Sequence, residues 1–416
     1  MNIIKNLKDN FKKHNLDQSV LYISYDGMME PLGQSQVLAY LKKLAIGRRI
    51  YLLSYEKSID LLKKKEFEIL KNEIKLSGIK WISLRYHRSP SVLATSWDIF
   101  CGFFVCLWLV FKYRLRIVHA RSYVPSLMAL VIKRVTGVKY IFDMRGFWPD
   151  EKVDGGSWRA NGILYRITKN FERQFILESD HLVSLTKSGI RAIKYFDYIH
   201  DNMPPYTVIS TCADLRHFSH SSISNFPKSN KSFVLGYIGS VGGYYMFDEV
   251  LSCFLMLINL RDDVRLLIIN KDQHDYIKNR LVVFGVPDSM VELTSASHHE
   301  MPIHISRMDA GIFFYRPSFS RLATAPTRLA EFLGCGKPCL SNTGIGDMTE
   351  VLENEDVGVA IKSFDQESIS DALNKILAMT ANPKTYEKCV NTAQHYFSLD
   401  NGVEKYSNIY DSLSGI

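Results

Sequence analysis

The chain has 416 residues, enough for two domains of ordinary size, each with its own core. With 46% hydrophobic and 23% charged residues and no low-complexity tract, its composition is that of a globular soluble protein. A net charge of +8 favours anionic partners, yet no basic run interleaved with aromatics points to nucleic acid. Seven cysteines, scattered without metal-ligand or secreted-scaffold spacing, read as reduced thiols of a cytosolic protein. The first residues, MNIIKNLKDNFKKHNLDQ, lack the continuous apolar core of a signal peptide, so export is not expected.

In chain order, VLYISY (20–25) reads as the first strand, followed by a loop broken at Gly27 and Gly33 and a helix near QSQVLAYLKKLA. IYLLSY (50–55) is the next strand, then the charged helix LLKKKEFEILKNEIKL and a strand at IKWISL (79–84). Ile99 to Phe111, IFCGFFVCLWLVF, has thirteen uncharged residues. As a helix it would be about 20 Å long, short of a bilayer core of roughly 30 Å, so it is not expected to span one. Two readings stay open for it. It is a core helix packed on the sheet, or a helix lying partly in a membrane interface beside Lys112, Arg114 and Arg116.

RIVHA (116–120) and VKYIFDM (138–144) are strands with the LMALVIKRV helix between them, and HLVSLT (181–186) and YTVIS (206–210) complete this sheet. SHSSISNFPKSNKS (219–232) has the polar, Ser-rich character of a linker. Beyond it FVLGYIG, VRLLIIN and MDAGIFFY are strands separated by helices, and a helical, aromatic segment closes the chain from about Tyr396. Strands alternating with helices predict an α/β protein of two doubly wound, Rossmann-like domains, 1–218 and 233–395.

The densest chemistry lies in Thr324 to Asn342, TAPTRLAEFLGCGKPCLSN. Arg328 and Glu331 fall three residues apart, on one face near the start of a helix ending at Gly334-Cys335-Gly336. That helix start, around Thr327 and Leu329, offers unpaired N–H groups and a positive dipole end to a diphosphate. Glu331 is placed to accept hydrogen bonds from a ribose diol; alternatively the two form an ordinary intrahelical ion pair. Gly239-Ser240-Val241-Gly242-Gly243 follows a strand and precedes a helix, as a phosphate-facing turn or a tight turn with no ligand. It is not a dinucleotide fingerprint, which disfavours a Rossmann oxidoreductase.

Arg316 and Arg321 are further phosphate candidates. In the first half, Arg121 and Arg145 sit just past strand ends, where a cation can meet a ligand's phosphate or another anionic group, and Arg145 can instead pair with Asp143, Asp150 or Glu151. Gly33 and Gln34, with Asp26, lie in a loop able to approach a ligand closely. His119, flanked by apolar strand residues, reads as a buried structural histidine rather than a base. Adjacent His298 and His299 rarely share one metal, and no metal site is expected.

The 324–342 segment resembles the signature of the family-4 (GT4) glycosyltransferases, in the version P-T-K/R-x-x-E-x-x-x-x-G-x-P. SYDGMMEPLGQSQVLAYLKKLA (24–45), the RGFWP element within 118–151, VISTCADLRHF (208–218) and LGYIGSVGGYYMFDEVL (235–251) are similar to its other segments, in order. The resemblance implies the GT-B fold: two facing Rossmann-like domains, the second binding the nucleotide sugar, with a tail (396–416) returning to the first. It implies transfer of a sugar from a nucleotide-sugar donor to a hydroxyl, with retention of configuration and without a metal cofactor. The implied setting is bacterial surface-polysaccharide assembly, on a lipid-linked or saccharide acceptor, with membrane contact through 99–116. Arg145, Arg328 and Glu331 are its implied catalytic group, and Gly33, Gln34, Arg121, Gly239, Ser240, Gly242, Arg316, Arg321, Thr327 and Leu329 its implied donor contacts.

Two departures stand out. The family's usual first glutamate falls at Ala323, and the Arg and Lys that many members carry after the 235–238 strand are replaced by Ser240, Tyr244 and Tyr245. They keep two alternatives in view: a GT-B epimerase acting on a free nucleotide sugar, and a catalytically silent partner.

Overall fold

Continuous apolar runs suit strands covered by helices on both faces, and they form the two sheets of the computed structural model, which describes residues 19–199, 201–218 and 232–415. The first sheet is all parallel, ordered β3-β2-β1-β4-β5-β6-β7, from β1 (Ser19–Ser24), β2 (Arg49–Glu56), β3 (Ile79–Arg85), β4 (Ile117–Arg121), β5 (Lys139–Asp143), β6 (His181–Ser184) and β7 (Tyr206–Val208). The second, also parallel, is ordered β10-β9-β8-β11-β12-β13. Its strands are β8 (Phe233–Ile238), β9 (Val264–Ile269), β10 (Val291–Thr294), β11 (Ala310–Ile312), β12 (Cys339–Asn342) and β13 (Gly358–Ile361). The strand order reverses at β1/β4 and at β8/β11, and ligands of such sheets bind at the carboxyl ends beside the reversal. This is the expected pair of doubly wound domains. β10 and β13, short edge strands, were not expected. The proposed linker, 219–232, lies outside the described residues except for Ser232.

The apolar run 99–111 belongs to a longer helix, Ser91–Tyr113. Its 23 residues extend about 34 Å, so the expectation that it is too short to span a bilayer is corrected. Packing, rather than length, ties it to the fold: Ala94, Asp98, Cys106, Leu109 and Val110 are buried against the first domain. Leu93, Trp97, Phe100, Phe104, Trp108 and Phe111 recur every three or four residues on the opposite side, each more than half exposed. One face thus packs as a core helix does, and the other is an exposed apolar stripe.

Helix Leu399–Ser414 lies on the first domain. Tyr406 donates to Asp143 Oδ2 (2.9 Å), and Tyr410 Oη lies 2.7 Å from His119 Nδ1. His119 is fully buried, and burial lowers its pKa, as suits a structural histidine.

The domains also touch directly. The turn Phe319–Ala323 sits against helices Trp148–Asp154 and Lys187–Lys194, with Phe319 and Phe147 ring centroids 4.7 Å apart. Asp347 of the second domain accepts from Lys187 N (2.5 Å) and Ser188 N (2.8 Å), capping a first-domain helix from across the boundary.

Candidate functional site

β8 ends in the glycine turn, where Gly239, Gly242 and Gly243 all have positive φ. Asn270 Nδ2 donates to Gly239 O (2.9 Å), while Gln273 brackets Val241, accepting from its N–H (2.9 Å) and donating to its carbonyl (2.8 Å). The turn is thus braced from β9's end. Tyr245 pairs with both Gly242 and Tyr315, which brings three tyrosines, 244, 245 and 315, together beyond β8 and β11.

Helix Thr327–Gly334 sends Arg328 into this cluster. Its guanidinium carbon lies 4.8 Å from the Tyr245 ring centre and 5.5 Å from that of Tyr315. It also lies against Gly239: a Cβ there would stand 2.4 Å from Arg328 Nη2. At φ +112°, glycine is needed both for the backbone and for the arginine. Arg328 Nη1 is buried and makes no hydrogen bond, and no carboxylate lies within ion-pair distance among the described residues. Arg321 is placed similarly, 4.2 Å over the Tyr244 ring with its Nε buried and unpartnered. Glu331, one turn from Arg328, is buried; desolvation pushes its carboxyl up to about 7 against the opposing pull of Arg328. A buried cation short of an acceptor beside a carboxylate held partly protonated makes an anion-accepting, hydroxyl-accepting pair.

At the carboxyl edge of the first sheet the arginines have partners. Arg121 Nη1 meets Asp26 Oδ2 at 2.6 Å, and Arg145, at φ +60°, holds Nη1 4.0 Å from Asp143 Oδ1. Of Arg145's three candidate carboxylates, Asp143 is the one it approaches. Gly33 and Gln34, expected in a loop, lie instead in a helical stretch (Pro31–Gly33 continuing through Gln34–Leu38), where Gly33 admits no side chain because a Cβ would stand 2.0 Å from Gly27 O in the preceding loop. Buried Glu56 ties the same loop down by accepting from Met28 N (2.8 Å) and Met29 N (3.2 Å).

The other candidates scatter. Gln34, Ser240 and Arg316 are exposed, and Thr327 is half-buried at the helix start. Leu329 faces a separate cavity of about 520 Å³ between the domains and the tail, which neither Arg328 nor Glu331 lines. Ala323 is buried against the first domain, its Cβ 3.1 Å from where a Cβ on Gly189 would stand. The position of the missing glutamate is thus filled by domain contact. Sequence reasoning did not single out Tyr237, Tyr315, Asn270 and Gln273, and it met Tyr244 and Tyr245 only as a departure from the family pattern; that Tyr-Tyr pair after the glycine turn was the visible signal. His298 and His299 stack near His217, and among the described residues no metal-binding group of three such side chains forms.

Residues 220–396 match the family described as "Glycosyl transferases group 1". Comparison with curated protein sequences gives no significant match. Among solved structures, the fold is similar to a glycosyltransferase from Rickettsia africae ESF-5, with a TM-score of 0.71 at 14% identity over 95% of this chain and 98% of that one. It is also similar to sucrose-phosphate synthase from Thermosynechococcus elongatus (0.69, 11%, covering 96% and 99%). A third is Anabaena Alr3699/HepE in complex with UDP and glucose (0.65, 13%, covering 95% and 99%). The fold is GT-B, and its second domain carries the match to a glycosyltransferase domain.

Proposed function

We propose that the protein transfers a sugar from a nucleotide-sugar donor to a hydroxyl of a lipid-linked saccharide at a membrane surface. The observation that carries the donor half is Arg328, a buried guanidinium with an unpartnered Nη1, pressed on Gly239 at the strand reversal. In this reading the diphosphate lies between the glycine turn and the start of helix Thr327–Gly334. Arg328 stabilises the charge that develops as the sugar leaves, with Arg321 and Arg145 nearby in role. Glu331 accepts from the ribose hydroxyls. Anabaena Alr3699/HepE, similar in fold, binds UDP and UDP-glucose, which supports a nucleotide-sugar donor. The cations of the chain, rather than a metal, carry the leaving group.

The acceptor half rests on helix Ser91–Tyr113. Its exposed aromatic stripe is bounded by exposed Arg85 and Arg88 at one end and Lys112, Arg114 and Arg116 at the other. Apolar side chains between two sets of cations suit an anionic bilayer surface, with the helix lying along it on the cytoplasmic side. Such a position suits surface-polysaccharide assembly. Retention of configuration follows from the GT4 resemblance, with Ala323 requiring groups other than the usual glutamate to contact the sugar.

The test is nucleoside-diphosphate release from UDP-, GDP- and dTDP-sugars, with and without a lipid-linked acceptor extract, beside Glu331→Ala. Acceptor-dependent release from one donor, lost in the variant, is expected. Donor binding without release from any of them would instead favour a silent partner.

A further inference from the structure

Helix Ser91–Tyr113 carries one acidic side chain, Asp98, and it points inward, 1% exposed. Three donors converge on it. His87 Nδ1 lies 2.6 Å from Oδ1, His87 N donates to Oδ2 at 3.1 Å, and Tyr25 Oη donates to Oδ2 at 2.9 Å. The pair stands at the carboxyl edge of the first sheet, because Tyr25 directly follows β1 and His87 lies two residues past β3. Tyr25 also precedes Asp26, the partner of Arg121. An ionised carboxylate only accepts hydrogen bonds, so Asp98 fixes the hydrogen of a neutral His87 on Nδ1. The lone pair is then on Nε2, on a side chain 38% exposed. A buried carboxylate has oriented an imidazole with its accepting nitrogen free.

We propose that His87 is an acceptor-binding residue, its Nε2 accepting a hydrogen bond from a hydroxyl of the acceptor saccharide, with Asp98 as its positioning residue. The inference rests on the transferase reading above and adds the place of the acceptor. Trp97, on the exposed stripe, adjoins Asp98 in sequence, so one helix offers a lipid-facing surface outward and holds the saccharide-facing histidine inward. A lipid-linked acceptor lying along the stripe would thereby present its sugar to His87.

Two substitutions separate this role from a simple loop staple. His87→Asn keeps an amide donor near the place of Nδ1, and with it the tie to Asp98, but deletes the outward nitrogen. His87→Gln returns a polar group near the place of Nε2. The assay is acceptor-dependent nucleotide release with a polyprenyl-diphosphate-linked monosaccharide in detergent micelles, together with nucleotide titration and thermal unfolding. For His87→Asn, an acceptor KM raised about tenfold is expected, as for one lost hydrogen bond, with nucleotide Kd and unfolding midpoint unchanged. His87→Gln should recover part of the loss. A wild-type acceptor KM in His87→Asn would overturn the proposal and leave the transferase reading standing. Absence of acceptor-dependent release in the wild-type protein would overturn both.

Discussion

The two domains treat their arginines differently. In the first, Arg121 is paired with the Asp26 carboxylate at 2.6 Å, although its Nε is also buried without a hydrogen-bond partner, and Arg145 faces Asp143 at 4.0 Å. In the second, Arg328 and Arg321 lie over tyrosine rings, each with a buried nitrogen lacking a hydrogen-bond partner. A buried charge without an acceptor costs stability, and aromatic faces recover only part of that cost. A cation kept in that condition is poised for an anion that arrives later, whereas one already paired gains less from it. The contrast supports the proposed placement of the donor's phosphates at the second domain, with Arg121 mainly holding a first-domain loop through Asp26.

The sharpest way to break this contrast is to remove one arginine from each side. Arg328→Met should lower acceptor-dependent nucleotide release by roughly 10²–10³-fold, the scale of losing one preorganised group at a developing charge. Arg121→Met should lower it by less than about tenfold, consistent with loss of a positioning contact. Steady-state release assays on both variants decide it, and equal losses would erase the distinction.

Next comes Gly239→Ala. The added Cβ meets Arg328 Nη2 at 2.4 Å on a backbone at φ +112°. Nucleotide affinity should fall about tenfold or more, with a stability loss of about 1–3 kcal/mol from backbone strain, measured by calorimetry and denaturant unfolding.

Glu331 sharpens the comparison through pH. Its carboxyl is raised from 4.5 to about 7, so the folded state binds this proton more tightly than the unfolded chain does. Its contribution to stability therefore falls as pH rises from about 4.5 to about 7 and then levels off. Glu331→Gln should remove that slope and raise the unfolding midpoint near pH 8 while impairing turnover. Because the ionised carboxylate is the better acceptor for ribose hydroxyls, wild-type nucleotide affinity should strengthen from about pH 6 to about pH 8 more steeply than in the variant, where the nucleotide's own terminal phosphate still titrates.

The smallest effect concerns the boundary itself. Asp347→Ala removes the carboxylate on Lys187 N and Ser188 N, a helix cap worth about 1 kcal/mol, so a lowering of the unfolding midpoint by a few degrees is expected.

Much of the fold was legible because strands such as Ser19–Ser24 (SVLYIS) and Phe233–Ile238 (FVLGYI) are buried throughout and carry apolar runs, and their neighbours are set by alternation with helices. β10, partly exposed, and β13, mostly buried, have four residues each at the sheet edges and left too little pattern to read. The apolar run 99–111 marked the middle of its helix, but polar Ser91, Thr95, Ser96 and Asp98 hid the first two turns. At the candidate site, helical spacing placed Arg328 and Glu331 on one face, which is local geometry. That Arg328 would press on Gly239, 89 positions earlier in the chain, depends on the packing of β8 against β11 and carries no local signal. The pairing of His87 with Asp98 was hidden for the same reason: it joins a strand end to the inner face of the following helix.

The most direct test of the donor assignment is calorimetric titration of UDP, GDP and dTDP into wild-type protein, Arg328→Met and Arg121→Met. The account predicts that one nucleotide binds the wild type and Arg121→Met with similar affinity and that Arg328→Met loses it while remaining folded. Wild-type affinity in Arg328→Met, or a loss confined to Arg121→Met, would contradict it.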